Sequence, residues 1–166
     1  MTMKAATHVK IQHIIILLFV FSLVMGCSGI KTYPNTANKN FYITTETDSG
    51  SMLSKVRTAV DIYRVDADCK TEYEGTVQLK SRSMDIGIPT GRLSYLVFVF
   101  SSSGFLSSSS STITYDGLLK LNADYLYDVK VSYVDDIYNV VIRETNPRNK
   151  KSREIELKDL NDCDSF

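Results

Sequence analysis

Histidine is nearly missing from this chain: both copies, His8 and His13, fall in its first stretch, and none follows. Removal of that stretch leaves no imidazole, which excludes Ser/His/Asp and Cys/His catalytic arrangements and histidine-ligated zinc. Cysteine is almost as scarce. Cys27, Cys69 and Cys163 are the three copies, and their spacing contains no CxxC redox pair. An excess of charge of either sign is lacking too. The chain has 19 basic and 19 acidic residues, and without Lys4 and Lys10 of the first stretch the balance is 17 against 19, or minus two. Neither nucleic acid nor an acidic surface is implied as a partner. A sustained 3.6-residue period is absent as well, although "SMLSKVRTAV", Ser51 to Val60, fits a short helix.

What is present starts at the N-terminus. "MTMKAATHVK" carries Lys4 and Lys10 without an acid, and "IIILLFVFSLVM" is apolar from Ile14 to Met25 with only Ser22 interrupting. A basic segment before an apolar run shorter than the about 20 residues of a stable membrane span predicts a cleaved secretory signal. The run ends in "VMGC", Val24 to Cys27. This stretch resembles the lipobox of bacterial lipoproteins, in which a small residue precedes a cysteine that is acylated and becomes the first residue of the mature chain. The resemblance implies that Cys27 carries the lipid and that residues 1–26 are the signal. It also implies an outer-membrane address, because Ser28 stands where an Asp would retain a Gram-negative lipoprotein at the inner membrane.

"SGIKTYPNTANKN", Ser28 to Asn40, is polar, aperiodic and broken by Pro34. It reads as a tether, so that residues 27–40 form a lipidated linker reaching about 40 Å at roughly 3.3 Å per residue. Residues 41–166 then form the domain. Removing 26 of 166 residues leaves 140, enough for one domain with a sizeable core. With Cys27 assigned to the lipid, Cys69 and Cys163 are expected to form one disulfide in an oxidising periplasm. That bridge would pin "LNDC" to the beginning of the domain.

The dominant period beyond the tether is two. "YLYDVKVSY" puts Tyr125, Tyr127, Val129, Val131 and Tyr133 on one face, and "IYNVVIRE" does the same for Tyr138, Val140 and Ile142. Joined by Asp135 and Asp136, the two runs predict a β-hairpin, and the acids read as a turn rather than a calcium loop. Further strands are expected at Phe41 to Glu46, Val56 to Val65, Tyr73 to Lys80, Asp85 to Ile88, Leu93 to Phe100, Thr112 to Leu121 and Arg153 to Leu157. "YLVFVF" is apolar on both faces, as in a central strand. The fold class is therefore all-β, a single antiparallel β-sandwich in the immunoglobulin-like or transthyretin-like style.

The stretch "SSSGFLSSSSS", Ser101 to Ser111, reads as a long mobile loop at one end of the sandwich. Within it Phe105 and Leu106 are the candidate partner contact, an apolar pair presented by linker residues. Arg148, Lys150, Lys151 and Arg153 in "PRNKKSR" fit a solvated hairpin end, with phosphate contact as the alternative. Tyr125, Tyr127, Tyr133 and Tyr138 fit cross-strand packing, with a sugar platform as the alternative. Paired carboxylates, with Asp61 or Asp66 as one member, are an enzyme chemistry that needs no histidine, but nothing in the spacing selects a pair. No catalytic residue, metal or cofactor is expected. The layout of signal, tether and small sandwich resembles small sandwich lipoproteins that anchor secretion machinery, which implies a binding role: an accessory or assembly component of an envelope complex, held to the membrane by its lipid. The alternative is a lipoprotein that binds a glycan or inhibits a hydrolase.

Overall fold

The computed structural model describes residues 29–47, 54–104, 110–134 and 137–166, and one compact body runs from Lys31 to Phe166. Cys27, Phe105, Leu106 and the Asp135–Asp136 turn lie outside the described residues. The body contains β1 (Phe41–Thr47), β2 (Ser54–Val65), β3 (Thr71–Gln78), β4 (Ser83–Ile86), β5 (Leu93–Gly104), β6 (Ser110–Lys120), β7 (Leu126–Val134), β8 (Ile137–Thr145), β9 (Ser152–Ile155) and a short 3-10 helix, Leu160–Ser165.

Alternation of side chains along these strands builds two half-apolar faces, which must cover one another. One sheet has the order β4-β1-β7-β8-β9 and the other β3-β2-β5-β6. Between them lie Phe41, Ile43, Tyr127, Val129 and Ile142 of the first and Val60, Ile62, Leu96, Phe98 and Phe100 of the second, all almost fully buried. Burial of each contributes about 1.5–3 kcal/mol. The molecule is thus an all-β sandwich. Its pairs are antiparallel except β1 with β7, which run parallel. The constant-type immunoglobulin order keeps the first two strands in one sheet. Here β1 and β2 lie in different sheets.

Three local expectations change. Residues Ser54 to Val60 of the expected helix belong to β2, because pairing with β5 on one side and β3 on the other overrides local propensity. The serine tract is mostly not a loop. β5 continues through Ser101, Ser102 and Ser103 to Gly104, and β6 resumes at Ser110, with Ser101 opposite Thr112 and Ser102 opposite Ser111. Facing serines bond across the ladder, as Ser102 and Ser111 do at 2.7 Å, and only 105–109 separate the arms. Residues 31–40 of the expected tether are also packed on the body. Thr32 bridges Thr76 of β3 in parallel, Tyr33 is buried with its hydroxyl donating to the Gly87 carbonyl at 2.9 Å, and Asn40 bonds both backbone groups of Ile88. Gly75 permits this approach: its φ is +146°, and a Cβ there would lie 2.6 Å from the Tyr33 nitrogen.

The second small core lies on the outer face of the four-stranded sheet. Val65, Leu118 and Cys163 are buried there with Leu93, Tyr95 and Leu160 packed against them. The Cys69–Cys163 disulfide holds it together, with Cα atoms 5.9 Å apart and 94 residues between them in sequence. Cys69 sits in the β2–β3 turn, where the Asp66 carboxylate accepts from the backbone nitrogens of Asp68 and Lys70. β5 is central in its sheet, and among the described residues its outer face is covered at this end, while Val97 and Val99 are partly exposed.

Candidate functional site

A sheet edge presents unpaired backbone donors and acceptors, and folded proteins blunt such edges. Three edges here are blunted. β4 and β9 have four residues each. β3 is crossed by the N-terminal segment, which takes both backbone bonds of Thr76 through Lys31 and Tyr33, and it carries Glu72, Glu74 and an irregularity opposite Ile62 and Tyr63. The fourth edge, β6, is eleven residues long. From Ser110 to Tyr115 it has no charge and no proline.

Among the described residues only the lower part of β6 is covered, by the C-terminal tail. The Leu118 nitrogen donates to the Lys158 carbonyl at 2.7 Å and the Lys158 nitrogen to the Leu118 carbonyl at 3.1 Å. Gly117 makes room for this, since a Cβ there would lie 2.6 Å from the Leu157 Cβ. The tail then turns away, because the Asp159 carboxylate accepts from the Asn161 nitrogen and starts the 3-10 helix over the outer face. Backbone groups along an antiparallel strand alternate in direction. With Leu118 facing outward, Asp116, Thr114 and Thr112 face outward as well, and no backbone group among the described residues bonds them.

The side chains agree with this opening. Ile113 and Tyr115 stand on the core side, opposite Phe100 and Phe98, yet they are 43% and 41% exposed. Tyr115 touches Phe98 with ring centroids 6.5 Å apart. Across the gap Tyr138 packs on Phe100 at 5.0 Å and stacks on Tyr133 at 4.6 Å. Val134 and Ile137 at the neighbouring hairpin end are also exposed. The core is thus closed by Ile155 and Leu157 as far as Gly117 and open above it.

The other sequence candidates are placed as follows. The tyrosines of the β7–β8 hairpin pack: Tyr127 is fully buried and Tyr133 and Tyr138 face the core. A different tyrosine row, not foreseen, crosses the outer face of the four-stranded sheet, where Tyr73, Tyr63 and Tyr95 stand directly opposite one another. Their centroids are 5.2 and 5.9 Å apart. Asp61 accepts from Thr76 beside them, and Tyr95 donates to Asp116. That bond, followed by burial, pushes the Tyr95 hydroxyl up to about 12. Asp61 and Asp66 are thus engaged in structural hydrogen bonds. In the basic turn Arg148 pairs with Asp124 at 2.8 Å, while Arg153 reaches the buried Glu144 at 2.9 Å.

Glu144 is an unexpected charge in the core, 4% exposed. Tyr127 donates to it at 2.8 Å and the Asn122 amide at 2.9 Å. Burial by itself would raise its pKa, but these bonds and Arg153 outweigh burial and lower it. A cleft of about 1470 Å3 near the β3–β4 connection has Arg57, Lys80, Arg82, Lys130 and Arg143 against Glu46 and Asp128, five positive charges against two negative. Among the described residues no group of three or more His, Cys, Asp or Glu is placed to hold a metal.

The class that this geometry defines is a disulfide-bridged all-β sandwich whose β6 edge, among the described residues, is left open above Leu118. No family model, curated protein or solved structure matches the chain.

Proposed function

We propose that this protein is an outer-membrane lipoprotein whose periplasm-facing sandwich acts by binding, as an accessory or assembly component of an envelope complex. The observation that carries the reading is the β6 edge: it is the long edge left unblunted, and its core-side residues Ile113 and Tyr115 are exposed. An exposed apolar strand edge is a hazard unless a partner covers it. The lipobox-like "VMGC" supplies the membrane half of the reading. Because the packed body begins at Lys31, the chain from Cys27 spans at most about 13 Å, a shorter leash than the sequence implied. Phe105 and Leu106, outside the described residues, remain in this reading as a second candidate contact.

The test has two arms. A Cys27→Ser variant should lose palmitate label, and unchanged labelling removes the lipid anchor. Crosslinking in intact membranes followed by pull-down should recover an envelope protein with the parent chain and about tenfold less with Ile113→Lys; equal recovery removes the edge from the binding function.

A second reading, glycan binding, has one observation in its favour: the Tyr73, Tyr63 and Tyr95 row beside Asp61 and Asp116. It requires the detergent-solubilised protein to sediment with peptidoglycan and a Tyr63→Ser variant to stay in solution.

A further inference from the structure

We infer that the partner at this edge donates an extended strand, adding antiparallel to β6 along Thr112, Thr114 and Asp116 as a fifth strand of the four-stranded sheet. The inference rests on the binding reading above and specifies how the partner is held. The chain itself demonstrates the mode one rung lower. At Leu118 its own tail lies antiparallel against β6 with two backbone bonds. It places the apolar Leu157 toward the core over Gly117 and leaves Lys158 exposed. The tail abandons the edge at Asp159, where the 3-10 helix carries it toward the disulfide. Among the described residues no backbone group bonds the next three outward-facing residues, which stand in register with a ladder that has already begun.

The slot also specifies the donor's chemistry. Its residues facing the gap would meet Ile113, Tyr115 and Tyr138, so they are β-branched or aromatic and uncharged. Those alternating with them would lie level with Thr112, Thr114 and Asp116, all exposed, and are polar. A stretch of five or six residues with period two fits. Main-chain bonds provide the affinity and the alternate apolar side chains the selectivity.

Proline separates this mode from ordinary side-chain docking. The Thr114 nitrogen faces away from β5, so proline there removes an outward donor and leaves the β5–β6 ladder intact, the one strand context in which proline is tolerated. Thr114→Val keeps the donor. The experiment uses the full-length chain in the membranes of the bacterium that expresses it, with the photo-crosslinking residue p-benzoylphenylalanine placed in turn at Thr112, Thr114 and Tyr115. Capture is repeated with Thr114→Pro, Thr112→Pro and Thr114→Val, each checked for its intact disulfide. Strand donation requires a heterologous adduct whose crosslinked peptide is an alternating segment, loss of capture by at least about tenfold in both proline variants, and capture within about twofold in the valine variant. It also requires the amides of Thr112, Thr114 and Asp116 to exchange at least about tenfold more slowly in the complex. An adduct of twice the chain mass, containing this chain only, means that a second copy covers the edge and overturns the inference. Capture that survives both prolines but fails with Ile113→Lys overturns strand donation and leaves the binding reading standing. Absence of any envelope adduct overturns both.

Discussion

The two ends of the sandwich are built by different rules. At one end the β2–β3 turn is bridged to the C-terminal helix through Cys69 and Cys163. The N-terminal segment is there bonded to Thr76, Gly87 and Ile88, and the buried Tyr127 and Glu144 form a polar network with the exposed Asn122 and Arg153. At the other end the β5–β6 arms are serine-rich, and Ile113, Tyr115, Val134 and Ile137 are exposed. Covalent and hydrogen-bonded constraint is thus concentrated away from the open edge. A fold fixed at one end can leave apolar surface uncovered at the other, because the stability does not depend on covering it.

The largest effect should come from breaking the bridge. Cys69→Ala with Cys163→Ala removes a loop constraint over 94 residues and should lower unfolding free energy by about 4–5 kcal/mol in the chain-entropy model, read from denaturant midpoints. The β6 edge should keep its partner capture under native conditions. Loss of capture in a variant that still folds would mean that the two ends are coupled, and the contrast drawn above would fail.

Glu144 comes next. Glu144→Ala takes the acceptor from the buried Tyr127 hydroxyl and two charge-assisted bonds from Asn122 and Arg153 at the surface, and should cost about 2–3 kcal/mol. The same group sets an acid dependence. Its folded pKa lies below the ordinary 4.5, so its stabilising contribution is complete above the unfolded value and fades as pH falls through the folded one. Melting temperature measured downward from pH 5 should fall more steeply in the parent chain than in Glu144→Gln. Parallel curves would remove Glu144 as the acid-sensitive group.

Tyr127→Phe is a finer probe of the same end. It deletes a hydroxyl that donates to Glu144 and accepts from the Asn122 nitrogen at 2.7 Å. A loss of about 1–2 kcal/mol is expected, and a change below 0.5 kcal/mol would show that water replaces the hydroxyl.

At the open end the smallest stability effect should accompany the largest binding effect. Tyr115→Ser removes a side chain that is 41% exposed and should change stability by less than about 1 kcal/mol. Partner capture should nevertheless fall about tenfold. A strongly destabilised variant with undiminished capture would turn Tyr115 into a core residue and the flank into a packing defect.

Much of the fold was legible because period-two alternation is a local property. The parity of "YLYDVKVSY" and "IYNVVIRE" assigns Tyr127, Val129, Val140 and Ile142 to the core face. The same parity puts Glu144 there, a signal that an acid needed buried partners, although nothing local identifies Asn122 or Arg153 as those partners. The serine tract was misread because composition is local and pairing is not. Ser101 to Ser103 are strand because Val56, Arg57 and Lys55 of β2 lie opposite them on one side and β6 on the other.

By itself the sequence determined an all-β chain and the inward and outward faces of its strands, whereas the pairing of Cys69 with Cys163 is fixed by the fold that brings their Cα atoms to 5.9 Å. The tertiary structure alone decided which strand became an edge and how each edge was covered. "STITY", Ser111 to Tyr115, reads as an ordinary strand in either role. Its exposure follows from where the tail leaves it: Leu157 fits over Gly117, and Asp159 turns the chain away before it reaches Tyr115. A strand's own residues set its faces through the two-residue repeat, whereas its neighbours across the ladder come from chain segments far away in sequence.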